Sequence, residues 1–270
     1  MINQNPIISN AVSALMGFAN EALHRKQESI RIARVVFSLL KVGCTSHTLI
    51  FQLLADQLER SQYKDGGWSD PEETVWALSV IRSVRENNPP GIDSARKWLH
   101  SMRKNLGGWG YNNRDQARIP TTSLIAAIEP DILKPQDFDW LLNEWRKDFA
   151  GPVRLSYKAG FFLLMMPSGR DDELVCQTIS HLADDQNDDG GFAPWKGHPI
   201  CSDPWSTGVV LWGLSRWGSL VERTVLERAL EWLQKTQLPS GYWRYHYLDD
   251  GTSLALIGAV SAMKALVDRK

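Results

Sequence analysis

One pattern recurs along this chain and restricts what it can fold into. An amphipathic helix ends in a polar residue, and a tight, glycine-containing turn closed by a large aromatic ring follows. The clearest copy runs from Arg228 through Trp232 and Gln237 to Gly241 and Trp243. Three related endings are Gln62 to Gly66-Gly67-Trp68, Arg103 to Gly107-Gly108-Trp109, and Gln186 to Gly190-Gly191-Phe192. A supersecondary unit repeated in this way decides the architecture before any single residue is weighed.

Each turn is followed by a polar loop and then by an apolar helix. The helix starts are Glu72-Glu73-Thr74, Pro120-Thr121-Thr122, Pro204-Trp205-Ser206-Thr207 and Gly251-Thr252-Ser253. Ser, Thr and Pro suit N-caps and first turns. These helices are apolar nearly all round, which predicts burial on both sides. The helices that end at the turns (55–62, 94–104, 173–186 and 224–237) carry apolar residues at three- and four-residue steps against a charged face, so they are expected outside.

Spacing supports two rings of helices. Thr74 and Thr122 lie 48 residues apart, Thr207 and Thr252 lie 45 apart, and the gap of 85 between Thr122 and Thr207 leaves room for a degenerate unit. That unit is expected at 153–166 with its partner at 171–186. N-terminal helices are expected at 7–24, 28–41 and 45–62. At roughly 45 residues per hairpin, 270 residues make about six. An open solenoid would need polar caps, so closure is favoured. The expectation is an all-α chain, an (α/α)6 toroid forming one domain over 1–270, with inner helices near Thr74, Thr122, Tyr157, Thr207 and Thr252. Asn87 to Gly91 reads as a turn between helices.

Composition excludes several function classes. A net charge of -1, with no basic block interleaved with aromatics, argues against nucleic acid as a partner. The stretch 1–10 lacks the basic and apolar regions of a secretory signal. The apolar stretch 159–167 is too short to span a bilayer, and 254–267 carries Lys264. A cytoplasmic protein without a transmembrane segment is expected. Cys44, Cys176 and Cys201 form no CxxC pair and read as buried or half-buried free thiols.

The segment 228–243 (basic, small, two residues, aromatic, aliphatic, three residues, Gln, then Gly-x-Trp) resembles the repeat of squalene-hopene cyclases and related class II terpene cyclases. The resemblance extends from about Ala55 onward and implies the toroid. It also implies that Gln237, Gly241 and Trp243 are structural ties between helix ends. The chain is about half as long as a two-domain squalene cyclase, which makes a large triterpene held between two barrels unlike the expected ligand.

The family starts its reaction from an Asp-x-Asp-Asp-Thr segment, and Asp70-Pro71-Glu72-Glu73-Thr74 is similar to it. The resemblance makes Glu72 the proton donor, with Asp70 and Glu73 orienting it. Such chemistry needs an acid kept neutral, and burial or a neighbouring carboxylate raises a pKa. The same residues are also an ideal helix start, so capping alone accounts for them equally well.

Protein prenyltransferase β subunits are a second comparison, through a zinc element at a corresponding helix start. Here Asp203 and Ser206 match it loosely, and Trp205 stands where the cysteine belongs. His198, Cys201 and Asp203 are zinc-compatible residue types whose spacing within six residues is poor for a tetrahedral site, though His246 could join them in space. No metal and no cofactor is expected.

Arg118, Arg154, Asp249 and Asp250 stand at other inner-helix starts. Two arginines can hold a diphosphate or carboxylate, or pair internally with Asp203, Asp249 or Asp250. Trp76, Tyr157, Phe161, Phe162, Trp195, Trp205 and Trp212 either line a cavity and stabilise a cation, or form core. The candidate substrate-binding set is Arg118, Arg154, Asp203, Trp205, Tyr157, Trp76 and Asp250, gathered with Asp70, Glu72 and Glu73 at one mouth. The function expected from the resemblance is binding and acid-initiated cyclisation of an isoprenoid. The alternative is a non-catalytic toroid that binds a protein or another apolar ligand.

Overall fold

The computed structural model of the chain describes residues 5–87 and 89–268. Asn88, in the turn expected at 87–91, and the first four residues of the N-terminal stretch lie outside the described residues. The described residues form twelve α-helices, joined by turns and short 3₁₀ segments, and no strand. The chain divides into two compact units. One comprises residues 16–143, the other residues 1–15 and 144–270.

In the unit of residues 16–143, helix α4 (Pro71–Val84) is the centre. It is flanked by α2 (Ser29–Lys41) and α6 (Ile119–Ile128) and backed by α3 (Leu49–Ser61) and α5 (Pro90–Met102). Nearly every residue from Pro71 to Ile81 is buried, as its all-round apolar sequence requires. Helices α3 and α5 bury only one stripe each, at Phe51, Leu54, Ala55 and Leu58 and at Ile92, Ala95, Leu99 and Met102. Contacts run in the same order along neighbouring helices. Arg34 meets Glu72, then Phe37 meets Trp76, and Arg82 near the end of α4 pairs with Glu129 just past α6. Helices α2, α4 and α6 are therefore parallel, with their N-termini at one end.

The unit of residues 1–15 and 144–270 repeats the plan. Helix α10 (Pro204–Ser215) lies between α8 (Ser156–Met165) and α12 (Leu248–Val267). Helices α9 (Asp172–Asp185) and α11 (Arg223–Thr236) pack behind them. Glycines permit very close approach: a Cβ on Gly160 would come within 3.0 Å of the Val209 carbonyl, and one on Gly208, Gly213 or Gly258 would overlap neighbouring backbone. The order of contacts, Tyr157 with Trp205 before Gly160 with Val209, and Pro204 with Gly251 before Gly208 with Leu254, makes these three helices parallel as well.

The recurring turns have one chemistry. The Gln62 amide donates to Gly66 O (2.7 Å) and Gly91 O (2.8 Å). Gln186 donates to Gly190 O and Val225 O, and Gln237 to Gly241 O and Ile7 O. Trp68, Trp109 and Trp243 each give their indole N–H to a carbonyl ten residues back, on Leu58, Leu99 and Leu233. The four threonines that mark the spacing have a specific task. The hydroxyl oxygens of Thr74, Thr122, Thr207 and Thr252 accept the backbone N–H of Trp68, Trp109, Phe192 and Trp243 at 2.9–3.0 Å. Each fully buried threonine thus satisfies an amide that the turn would otherwise strand.

Where Arg103 replaces the glutamine, it pairs with Asp137, and Asp137 accepts the Gly108 N–H at 2.8 Å, as Asp65 and Asp189 accept those of Gly67 and Gly191. Asp137 belongs to α7 (Pro135–Ala150), a helix absent from the expected set. Helix α1 (Pro6–His24) agrees with the expectation, and the N-terminal helix expected at 45–62 begins at Leu49. The degenerate unit is α8, at 156–165. Cys44 is half-buried as expected, but Cys176 and Cys201 are exposed. Helix α12 is long and apolar enough to cross a bilayer by length and composition, and 67% of that window is buried within the protein.

Candidate active site

The acidic segment opens α4. Asp70 is the N-cap, and its carboxylate accepts the Glu73 N–H at 2.8 Å. Glu73 reaches back and accepts the Ser69 N–H at 3.3 Å, which completes a reciprocal capping pair. Pro71 fits the first turn because it has no N–H to lose there. The capping role is therefore present.

Capping does not account for the burial. Glu73 is only 9% exposed. Burial chiefly, then the charge of Asp70 and that of Glu28 at the start of α2, push its carboxyl above the ordinary carboxylate value. The N–H groups of Ser69 and Ile30 oppose the shift without cancelling it. Glu72 has a different environment. Its Oε1 accepts from Arg34 Nη2 at 3.1 Å and from the Trp76 indole at 3.5 Å. Arg34 on α2 is itself largely buried, with a side chain 11% exposed. Trp76 is fully buried, its ring edge-on to Phe37 with centroids 4.6 Å apart.

Arg118 caps α6 but turns outward. It holds Asp115 through a 2.6 Å hydrogen bond, lowering that carboxyl to about 2, and lies 4.6 Å from the Tyr111 ring centre.

In the unit of residues 1–15 and 144–270, the N-termini of α8, α10 and α12 gather Arg154, Tyr157, Asp203, Trp205 and Asp250 at one end. Trp205 lies edge-on to Tyr157 (5.6 Å) and Phe161 (6.0 Å) and parallel to Tyr245 (6.5 Å). Asp203, the N-cap of α10, accepts the Ser206 N–H at 2.8 Å while its other oxygen is buried without a hydrogen-bond partner among the described residues. Burial raises its carboxyl above the ordinary value. Asp250 lies half-buried in the first turn of α12. Arg154 is drawn toward Phe149, donating to its carbonyl at 2.7 Å and stacking 4.4 Å from its ring centre. It lines a groove of about 430 Å³ with His181, Asp184, Trp195 and Lys196. Among the described residues no three His, Cys, Asp or Glu side chains are grouped to hold a metal ion.

Arg34, Glu28 and Tyr245 are the site neighbours that sequence reasoning missed. Arg34 is one of several basic residues on α2, and nothing local to it marks a partner 38 positions away. Tyr245 stands two residues after the last Gly-x-Trp turn, a position that could have drawn notice.

The squalene-hopene cyclase C-terminal domain family matches residues 70–253, a span that begins at Asp70. A drimenyl diphosphate synthase of Streptomyces showdoensis is 25% identical over 221 residues. So is a terpene cyclase-glycosyl transferase fusion protein of Humicola fuscoatra over 214 residues. The alignments take in 71% of this chain but only 40% and 15% of those proteins. The type II terpene cyclase MstE of Scytonema, in complex with geranylgeranyl dihydroxybenzoate, superposes with a TM-score of 0.76 at 16% identity, covering 96% of this chain and 98% of that one. The ent-copalyl diphosphate synthase of Streptomyces platensis gives 0.60 at 17% identity, over 88% of this chain and 50% of that one. These likenesses show the fold, the α/α toroid of the terpene cyclases.

Proposed function

The chain belongs to the squalene-hopene cyclase C-terminal domain family, and on that premise we propose that it binds an isoprenoid and cyclises it by protonating an alkene or epoxide from the segment Asp70 to Thr74. The observation that carries this reading is a carboxyl, Glu73, buried at a helix start with two further acids beside it and raised above its ordinary value. Burial and neighbouring carboxylates favour the protonated form of such a group, the state that proton transfer to carbon requires. Rings such as Trp205, Tyr157 and Tyr245, half-buried at the helix starts of their unit, suit a developing positive charge. Similar proteins include a geranylgeranyl dihydroxybenzoate-binding cyclase and a drimenyl diphosphate synthase, which favours a linear isoprenoid over a large triterpene.

The test is incubation of the purified protein with geranyl, farnesyl and geranylgeranyl diphosphates and with squalene, with and without chelator, followed by product analysis. A chelator-resistant cyclic product that Asp70→Asn, Glu72→Gln or Glu73→Gln abolishes is expected. Absence of any cyclic product, or full activity in all three variants, overturns the reading.

A further inference from the structure

In the unit of residues 1–15 and 144–270, the loops 151–155 and 193–202 and the end of α9 together line the groove of about 430 Å³. Its walls are fastened to one another. The Ser156 N–H donates to Pro194 O at 2.8 Å, and the Ser156 hydroxyl donates to the buried Asp185 at 2.6 Å. Lys196 donates to Asp184 O at 2.5 Å and to Gln186 O at 3.1 Å, so its ammonium is spent on the carbonyls that close α9. Trp195 is half-buried and braced edge-on by His198, with ring centres 4.1 Å apart. The Nε2 atom of His181 is sealed from solvent, which makes this side chain part of the floor.

Arg154 differs from these residues in having donors to offer. Its Nε is committed to Phe149 O at 2.7 Å, and the guanidinium lies 4.4 Å from the Phe149 ring centre, which holds it in place. Among the described residues its two Nη nitrogens have no hydrogen-bond partner, and no carboxylate forms an ion pair with it. A planar guanidinium with that edge open takes a two-oxygen anion through a pair of parallel hydrogen bonds.

The rest of the lining narrows the anion. Asp184 and Asp185 share the groove, and Asp185 also stands 3.6 Å from His181. More negative charge than one guanidinium balances meets repulsion from these acids. Trp195, with Pro152 and Val153, adds flat apolar surface beside the charge. A groove of this volume is within the range of small-molecule sites.

From this arrangement we infer that the groove is a binding site for an organic monocarboxylate, whose two oxygens meet the Nη edge of Arg154 and whose flat apolar body lies against Trp195. A more highly charged diphosphate is disfavoured by the same acids. The inference goes beyond the cyclase reading and does not depend on it, since every residue that carries it lies outside the segment Asp70 to Thr74.

The experiment is fluorine NMR on protein labelled with fluorotryptophan, with the Trp195 signal assigned through Trp195→Phe. Titration with 2-naphthoate is expected to shift that signal saturably. Its neutral analogue 2-naphthamide should bind at least about tenfold more weakly, and Arg154→Gln should weaken 2-naphthoate by about tenfold or more, the usual worth of a charge-assisted hydrogen bond. Arg154→Lys, which keeps the charge but not the fork, should recover only part of the loss. Equal affinities for the acid and the amide, an affinity that Arg154→Gln leaves unchanged, or a Trp195 signal that does not move overturns the site. Pyrophosphate that binds more tightly than 2-naphthoate overturns the carboxylate class. Trp195→Ala, read by calorimetry, leaves the guanidinium intact and should still weaken 2-naphthoate; an unchanged affinity removes the role given to that ring. No arm reads turnover, so a failure here and a failure to cyclise an isoprenoid are told apart.

Discussion

The side-chain amide of Gln237 donates to the backbone oxygen of Ile7 at 2.9 Å, joining residues 230 positions apart in the chain. The same nitrogen donates to Gly241 O at 3.0 Å, so one side chain closes its own turn and fastens the first turn of α1. Gln237→Ala removes both bonds and leaves two carbonyl groups to find other partners. A loss of about 1–3 kcal/mol is expected in denaturant unfolding. Amide exchange should also accelerate at residues 5–15 more than in helix α4.

Arg103→Gln restores the residue that the repeat uses elsewhere, yet it should harm this protein. Asp137 is fully buried, and Arg103, 5% exposed at its side chain, is its cationic partner. Removing one member of a buried pair leaves an uncompensated charge and costs about 3–5 kcal/mol. The companion change Asp137→Asn should recover much of that loss. A double-mutant cycle by chemical denaturation checks it, and additive losses would show that the pair is not coupled.

Much of this fold is legible in the sequence because the turn needs particular chemistry. A threonine accepts the aromatic residue's amide in all four turns, a glutamine reaches two carbonyls in three of them, and an indole N–H reaches another carbonyl in three, so the turns announce themselves. Helix α7 was illegible for the converse reason. It ends at Ala150 and is followed by Gly151-Pro152-Val153, which has no aromatic ring to advertise a helix end. The acidic segment of the site was legible by motif. The pairing of Arg34 with Glu72 was not, because it depends on the register between two helices. The outward turn of Arg118 depends on Asp115, three residues away, a local pair in the loop before α6.

Thr207→Val tests the threonine tie. The Thr207 hydroxyl accepts the Phe192 N–H at 2.9 Å in a fully buried setting, and valine has nearly the same shape without the acceptor. Leaving a buried amide unsatisfied costs about 1–3 kcal/mol. Thermal unfolding of the variant against Thr207→Ser, which keeps the oxygen, separates the hydrogen bond from the lost methyl group. Equal stability of the valine variant and wild type would remove the role given to this threonine.

The pH dependence of stability has a definite sign at Glu73. Its folded value lies above the unfolded one, so its contribution is fully present below about pH 4.3, the ordinary glutamate value, and is lost as pH rises through the folded value. Glu73→Gln imitates the protonated form. The variant should match wild type in acid and become progressively more stable than wild type as the pH approaches neutrality. Parallel stability profiles for the two proteins would contradict the raised value.

Gly208→Ala is expected to be severe for a single methyl group, because the new carbon would overlap the Leu254 carbonyl and force α10 and α12 apart. Overpacking of this kind costs about 1–3 kcal/mol or more. Calorimetric melting gives the measure, with the exposed Gly169→Ala as reference for strain at a left-handed glycine, since nothing lies within 4 Å of that site.

The bare glycine contacts among α8, α10 and α12 also limit how this protein can change its ligand. A wall whose neighbours touch backbone to backbone has no side chains there to trim, so its spacing cannot be adjusted by one residue at a time. New shapes and charges have to enter through the segments that feed those helices, at 151–155, 193–202 and 244–247. Those loops can be rewritten while the wall behind them stays the same.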